Sequence, residues 1–138
     1  LKYLEQYENR NILERKDSVS QGISYMKANL HRNISLQEIS EYCNLSVSHF
    51  CLHFKNETSY SPINYLTMLR IQRSCKLLRF TEKKVKKIAE EVGYEDPYYF
   101  TRVFKKKMGQ SPLKYRKNSG MIGKRKKSTK RTTKSKSQ

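Results

Sequence analysis

No hydrophobic run in the chain approaches the length of a membrane span, and its start carries no signal-peptide hydrophobic segment. No membrane-spanning segment is therefore expected. Cysteine is sparse: Cys43, Cys51 and Cys75 are odd in number and form no C-x-x-C pair, which fits a reduced, intracellular setting. There is no glycine-rich phosphate loop, no H-E-x-x-H and no convincing carboxylate pair. Enzymatic activity is thus not expected, and neither a cofactor nor a metal is implied. Acidic residues are scarce, 12 Asp and Glu against 30 Lys and Arg, for a net charge of +18 and a sequence pI near 10.0. That balance points to a polyanion (DNA, RNA or an anionic membrane surface) without choosing among them. With 36% apolar residues in 138, the chain has room for one domain of about 100 residues with a small core, plus ends.

What is present is organised around Val92 to Arg116. Asp96 is a good N-cap, and Pro97 suits the first helical position, where its missing N–H costs nothing. Phe100, Val103 and Phe104 then share one face at helical spacing, with Tyr98, Thr101, Arg102 and Lys105 opposite. Gly109 follows as a stop. Upstream, Ile88 to Tyr94 reads as a shorter helix broken at Gly93. A short helix, a tight turn and a second helix with a basic outer face make a helix-turn-helix.

The pattern occurs twice. Phe50-x-x-x-Phe54-Lys55 is followed by Ser61-Pro62-x-x-Tyr65, and Phe100-x-x-x-Phe104-Lys105 by Ser111-Pro112-x-x-Tyr115. Leu36, Ile39, Ser40, Cys43 and Leu45 match Val85, Ile88, Ala89, Val92 and Tyr94. The offset is 49 before the turn (Ile39 to Ile88) and 50 after it (Phe50 to Phe100), so the second turn is one residue longer. Two copies are too few for a solenoid, and tandem DNA-reading units explain them better.

With I-A-x-x-V-G-Y, Y-F-x-R-x-F-K-K, G-x-S-P and Y-R in place over Ile88 to Arg116, the chain resembles the DNA-binding domain of the AraC/XylS family of bacterial transcriptional regulators from about Ser18 to Arg116. The resemblance implies an all-α fold of about seven helices, in which two helix-turn-helix subdomains are joined by a long central helix. It further implies a recognition helix in each of two successive major-groove segments of double-stranded DNA. It also implies an activator in contact with RNA polymerase, cytoplasmic in a bacterium and nucleoid-associated when bound.

In chain order, residues 1–17 read as a linker or the remnant of a dimerisation helix. The chain begins at Leu1, which suggests the C-terminal piece of a longer protein, with homodimerisation through the part preceding it. Residues 18–117 are the expected DNA-binding domain. Ser18 with Gln21 is expected to cap its first helix, whose stripe is Val19, Ile23, Met26 and Leu30; Ser35 with Glu38 forms a second capping box. The first helix-turn-helix is expected over 36–57, the joining helix over 62–79, with an apolar and a basic side, and the second helix-turn-helix over 85–108, opened by Thr81. At about 1.5 Å per residue, roughly 18 residues span about 27 Å. Major-groove segments on one face of DNA lie roughly 34 Å apart, so the joining helix suits a ruler, and a proline in its middle should disable binding. Residues 118–138 form a tail of Lys, Arg, Ser, Thr and Gly with almost no apolar residue. It is expected to stay disordered and to add sequence-independent affinity.

For base reading, Arg102 suits bidentate contact with guanine O6 and N7. Tyr98 and Thr101 suit a thymine methyl or a phosphate, while Lys105, Lys106 and Lys107 suit phosphates. The first copy presents Ser48, Cys51, Leu52 and Lys55, with Leu52 where the second copy has Arg102. The second helix is therefore expected to carry most hydrogen-bonded readout, and the first to read A·T-rich sequence or shape. Phe50, Phe54, Phe100 and Phe104 read as core rather than base-stacking residues. His49, Cys51 and His53 lack the convergence a metal needs, and His53 is expected half-buried beside the core. Most tyrosines of 60–65 and 94–99 are expected to pack at the core edge. The rival reading is a non-specific nucleic-acid packing protein driven by charge.

Overall fold

A computed structural model of the chain describes residues 17–120. Among them all regular structure is helical: α1 (residues 17–29), α2 (Leu36–Tyr42), α3 (Val47–Thr58), α4 (Pro62–Phe80), α5 (Val85–Glu91), α6 (Pro97–Met108) and α7 (Pro112–Ser119). They divide into two compact units, one ending at Leu69 and the other starting at Arg70, so the boundary falls inside α4. The all-α, seven-helix fold expected from the sequence is the fold found.

In the first unit the apolar residues at helical spacing meet in one core. Val19, Met26, Ile34, Ile39, Cys43, Phe50, Phe54, Leu66 and Leu69 are buried in it, with Ile23 and Leu30 packed against its edge. Phe50 and Phe54 lie with ring centroids 5.4 Å apart, and Tyr65 meets Phe54 edge-on at 5.3 Å. Burying such a side chain is worth about 1.5–3 kcal/mol. Ser35 caps α2 by accepting from the Glu38 N–H at 3.0 Å, and Ser46 caps α3 by accepting from the His49 N–H at 3.2 Å. The turn between these helices is closed by Asn44 in the left-handed region (φ 59). Its N–H donates to the Glu41 carbonyl at 3.0 Å, and the Leu45 N–H reaches back to Ser40 at 3.0 Å, which satisfies carbonyls the helix end would leave open. Ser40 is fully buried on α2, its hydroxyl donating to the Gln37 carbonyl at 3.0 Å.

The second unit repeats the arrangement. Ile71, Cys75, Leu78, Ile88, Ala89, Val92, Phe100 and Phe104 are buried, and Tyr115 meets Phe104 edge-on at 5.6 Å as Tyr65 meets Phe54. Gly93 (φ 94) takes the place of Asn44. The Gly93 N–H donates to Glu90 at 3.1 Å and the Tyr94 N–H to Ala89 at 2.8 Å. The extra residue of this turn is Glu95, between Tyr94 and the cap Asp96. Arg116 closes the end of α4 from outside it: Nε donates to the Leu78 carbonyl at 2.9 Å and Nη2 to the Thr81 carbonyl at 3.0 Å. Arg79 Nη1 donates to the Tyr115 hydroxyl at 2.9 Å.

Several local expectations need correction. Ser18 does not open α1, because Asp17 is already helical and Gln21 Nε2 donates to the Asp17 carboxylate at 3.1 Å instead. Thr81 does not cap α5. Its hydroxyl donates to the Leu77 carbonyl at 2.6 Å, and the cap position falls to Lys84, which makes no side-chain capping bond. The apolar side of α4 is not one stripe. Pro62, Leu66 and Leu69 are buried in the first half, Ile71, Ser74, Cys75 and Leu78 in the second, and Ile63 is exposed. Residues 118 and 119 belong to α7, capped by Gly120 (φ 65), not to the tail. The remaining expected tail and residues 1–16 lie outside the described residues.

Candidate nucleic-acid interface

The second helix of each helix-turn-helix owes its orientation to its buried face. At about 100° per residue, Phe100 and Phe104 bind α6 to the core, and Tyr98, Tyr99, Arg102, Lys105 and Lys106 come to lie outward. Phe50 and Phe54 do the same for α3 and turn Ser48, His49, Leu52, Lys55 and Asn56 outward. Asp96 fixes the start of α6 by accepting from the Tyr98 N–H at 2.9 Å. Gly109 ends it at φ 78, and Ser59 ends α3 at φ 73.

On α6, Tyr98 is 77% exposed. Arg102 lies beside it with its guanidinium carbon 5.6 Å from the Tyr99 ring centroid. Lys105, Lys106 and Lys107 are exposed in the last turn, where they also complement the helix dipole. Thr101 is not on the outermost face. It is half-buried, and its hydroxyl donates to the Pro97 carbonyl at 2.9 Å, leaving its methyl and oxygen lone pairs at the rim.

On α3, Leu52 is 56% exposed, and Ser48 and Lys55 are exposed with it. Cys51, like Thr101, is half-buried at the rim, because its position lies nearer the phenylalanines than the outward pole. His53 is half-buried, as expected, with its ring stacked 6.2 Å from that of His49. Three outward positions were missed: Tyr99, His49 and Asn56. The helical period places all three outside. Tyr99 falls among the tyrosines expected at the core edge, and His49 is weighed only for metal binding and set aside. Tyr94 and Tyr65 do pack, but Tyr99 and Tyr60 are largely exposed.

Charge differs between the two faces. The outward residues of α6 include Arg102, Lys105 and Lys106; those of α3 include only Lys55. Beyond α6, Lys84 and Lys86 on or next to α5 are exposed, while Lys83 pairs with Glu91 at 2.7 Å and Lys87 with Glu90 at 3.6 Å. The first unit instead ties an acid into its frame. The Glu38 carboxylate accepts from Arg32 and from the Tyr25 hydroxyl. Arg32 first, then Tyr25, holds it down to about 2, well below the usual carboxylate range.

Comparison with known proteins agrees with this arrangement. A family model described as a helix-turn-helix domain matches residues 39–118. The chain is similar to the MmsAB operon regulatory protein of Pseudomonas aeruginosa, 40% identical over 93 residues, which are 67% of this chain and 30% of that protein. It therefore spans about a third of the length of such curated relatives. Among solved structures it resembles the C-terminal domain of AraT, a response regulator from Geobacillus stearothermophilus. That match has a TM-score of 0.71 at 33% identity and covers 73% of this chain and 84% of that one. It shares its fold with the DNA-binding domain of AdpA, solved with a target DNA (TM-score 0.70, 21% identity, covering 72% and 90% of the two chains).

Proposed function

Because this chain belongs to the AraC/XylS-type family of helix-turn-helix transcriptional regulators, we propose that it is the region of such a regulator that binds specific double-stranded DNA, with α3 and α6 as its two recognition helices. One observation carries the reading. The same frame is built twice, and each time it turns outward a helix face that the core does not use. On α6 that face carries Tyr98, Arg102, Lys105 and Lys106.

The division of labour follows from the side chains. Arg102 presents a planar fork of donors suited to guanine in the major groove. Lys105 and Lys106 meet phosphates and fix register without reading sequence. Tyr98, and the methyl of Thr101 at the rim, suit a thymine methyl or a phosphate. On α3, Leu52 offers apolar contact to thymine methyls, with Ser48, Cys51 and Lys55 around it. The bound site then has two blocks, one per helix, about one helical turn apart.

The whole regulator acts in the bacterial cytoplasm as an activator, and is not an enzyme. It contacts RNA polymerase and dimerises through its remaining part. No helix among the described residues is long and apolar enough to cross a membrane.

Selection of bound sequences from a random duplex pool at about physiological salt tests the proposal. Non-specific binding there is typically only about 10⁻⁴–10⁻⁶ M. An enriched motif with two blocks about one turn apart is expected. Tight binding to every duplex without enrichment would favour a packing protein that uses the net charge of +18 alone.

A further inference from the structure

Within the second unit, two tyrosine rings lie between two arginines in a column that ends at Arg102. The Arg70 guanidinium carbon lies 5.5 Å from the Tyr94 ring centroid. The Tyr94 and Tyr99 centroids are 5.9 Å apart. The Arg102 guanidinium carbon lies 5.6 Å from the Tyr99 centroid. Tyr94 is also anchored on the core, its centroid 5.5 Å from that of the buried Phe100. Tyr99 is 50% exposed, and its ring meets Tyr94 on one side and Arg102 on the other.

An exposed arginine has many rotamers, and a base contact must select one of them. A guanidinium held near a ring has fewer orientations open to it, which lowers the cost of selecting the one a bidentate contact needs. Among the described residues the first unit has no such device. Leu45, His49 and Leu52 occupy the positions of Tyr94, Tyr99 and Arg102. The column therefore accompanies the arginine and is no requirement of the frame.

We propose that Tyr99 is a positioning residue for sequence reading, its ring holding the Arg102 guanidinium in advance in the orientation that meets a base edge. This rests on α6 reading DNA as proposed above. It makes Tyr99 a determinant of specificity that need not touch DNA.

The test uses the full chain, the duplex enriched from the random pool, and that duplex with each base pair substituted in turn. Arg102→Ala is expected to flatten discrimination at one base pair. Tyr99→Ala is expected to weaken binding to the enriched duplex by roughly two- to five-fold, with the loss confined to that base pair. In Arg102→Ala/Tyr99→Ala the second change should add almost nothing. Tyr99→Phe, which keeps the ring, should behave as the parent, and Tyr99→Leu, which keeps bulk without the ring, as Tyr99→Ala. Thermal melting of each variant separates lost folding from lost reading. Equal losses on every duplex, or losses that multiply in the double variant, would overturn the positioning role. If Arg102→Ala flattens discrimination while Tyr99→Ala does not, the positioning role alone falls. If Arg102→Ala changes no base preference, the reading of DNA by Arg102 falls with it.

Discussion

The two units place matching residues inside and different residues outside. Ile39 and Ile88, Ser40 and Ala89, Cys43 and Val92, Phe50 and Phe100, and Phe54 and Phe104 are buried at equivalent positions. Outward, Ser48 faces Tyr98 in the alignment, His49 faces Tyr99, Leu52 faces Arg102 and Asn56 faces Lys106. The turns differ too: the left-handed positions are filled by Asn44 and Ser59 in the first unit and by Gly93 and Gly109 in the second. One packing problem, solved twice, keeps the interior similar in size and polarity, because a close-packed core tolerates best the changes that keep its volume. The outward face is under no such constraint, and there the second unit is strongly basic and the first nearly neutral.

The equivalence of the interiors is open to the largest test. Phe54→Ala and Phe104→Ala should each cost about 3–5 kcal/mol in urea unfolding; a much smaller loss for one would break the match. The difference between the faces comes next. Arg102→Ala should cost about 1–3 kcal/mol of discrimination at a G·C pair, measured by fluorescence anisotropy on substituted duplexes. Leu52→Ala should cost less and act at A·T pairs. Equally large G·C losses in the first block of the site would remove the division of labour.

The left-handed turns give a smaller effect. Ser59→Gly should stabilise by about 0.5–1 kcal/mol, and Gly109→Ser should destabilise by about 1 kcal/mol, since a side chain in that region is strained. Denaturant midpoints of the two variants decide it, and Gly109→Ser without effect would mean the two helix ends are not equivalent.

Acid should distinguish the units least. Glu38 is lowered from 4.5 to about 2 by Arg32 and Tyr25, while Lys87 stands at its position in the second unit. A depressed carboxylate stabilises above its unfolded value and loses that contribution as pH falls through the folded one. The parent should therefore lose some stability between about 4.5 and about 2 that Glu38→Gln has already lost. Parallel acid titrations of the two proteins would contradict this.

What could be read from the chain was what depends on local chemistry. Caps at Ser35 and Asp96, the stop at Gly109 and the four buried phenylalanines follow from residue type and spacing, and for the phenylalanines the repeat supplied an internal check. What escaped depends on partners distant in sequence or on competition between neighbours. The bonds from Arg116 to Leu78 and Thr81 span 38 and 35 residues, and no period signals them. Thr81 has the composition of a cap, but α5 starts only at Val85, and the threonine hydroxyl instead donates to the Leu77 carbonyl and accepts from the Lys83 N–H. The outward pole of α6 was nearly legible. A face of Tyr98, Thr101, Arg102 and Lys105 is displaced by a fraction of a turn from the exposed one, which includes Tyr99 and drops Thr101 to the rim. Only the packing of Phe100 and Phe104 fixes that rotation.

The boundary inside α4 bears on how such a protein can be taken apart. A cut after Leu69 would leave each unit with half a helix. Each half is shorter than the roughly 12–15 residues an isolated helix needs to persist in water. The hydrogen-bond ladder has no seam there, so fraying from a new end would strip each core of residues it buries, Leu66 and Leu69 on one side, Ile71 and Cys75 on the other. The two readers are duplicated in sequence yet not modular in folding. Exchanging one of them between relatives means cutting in the loops before α2 or before α5 and leaving α4 whole.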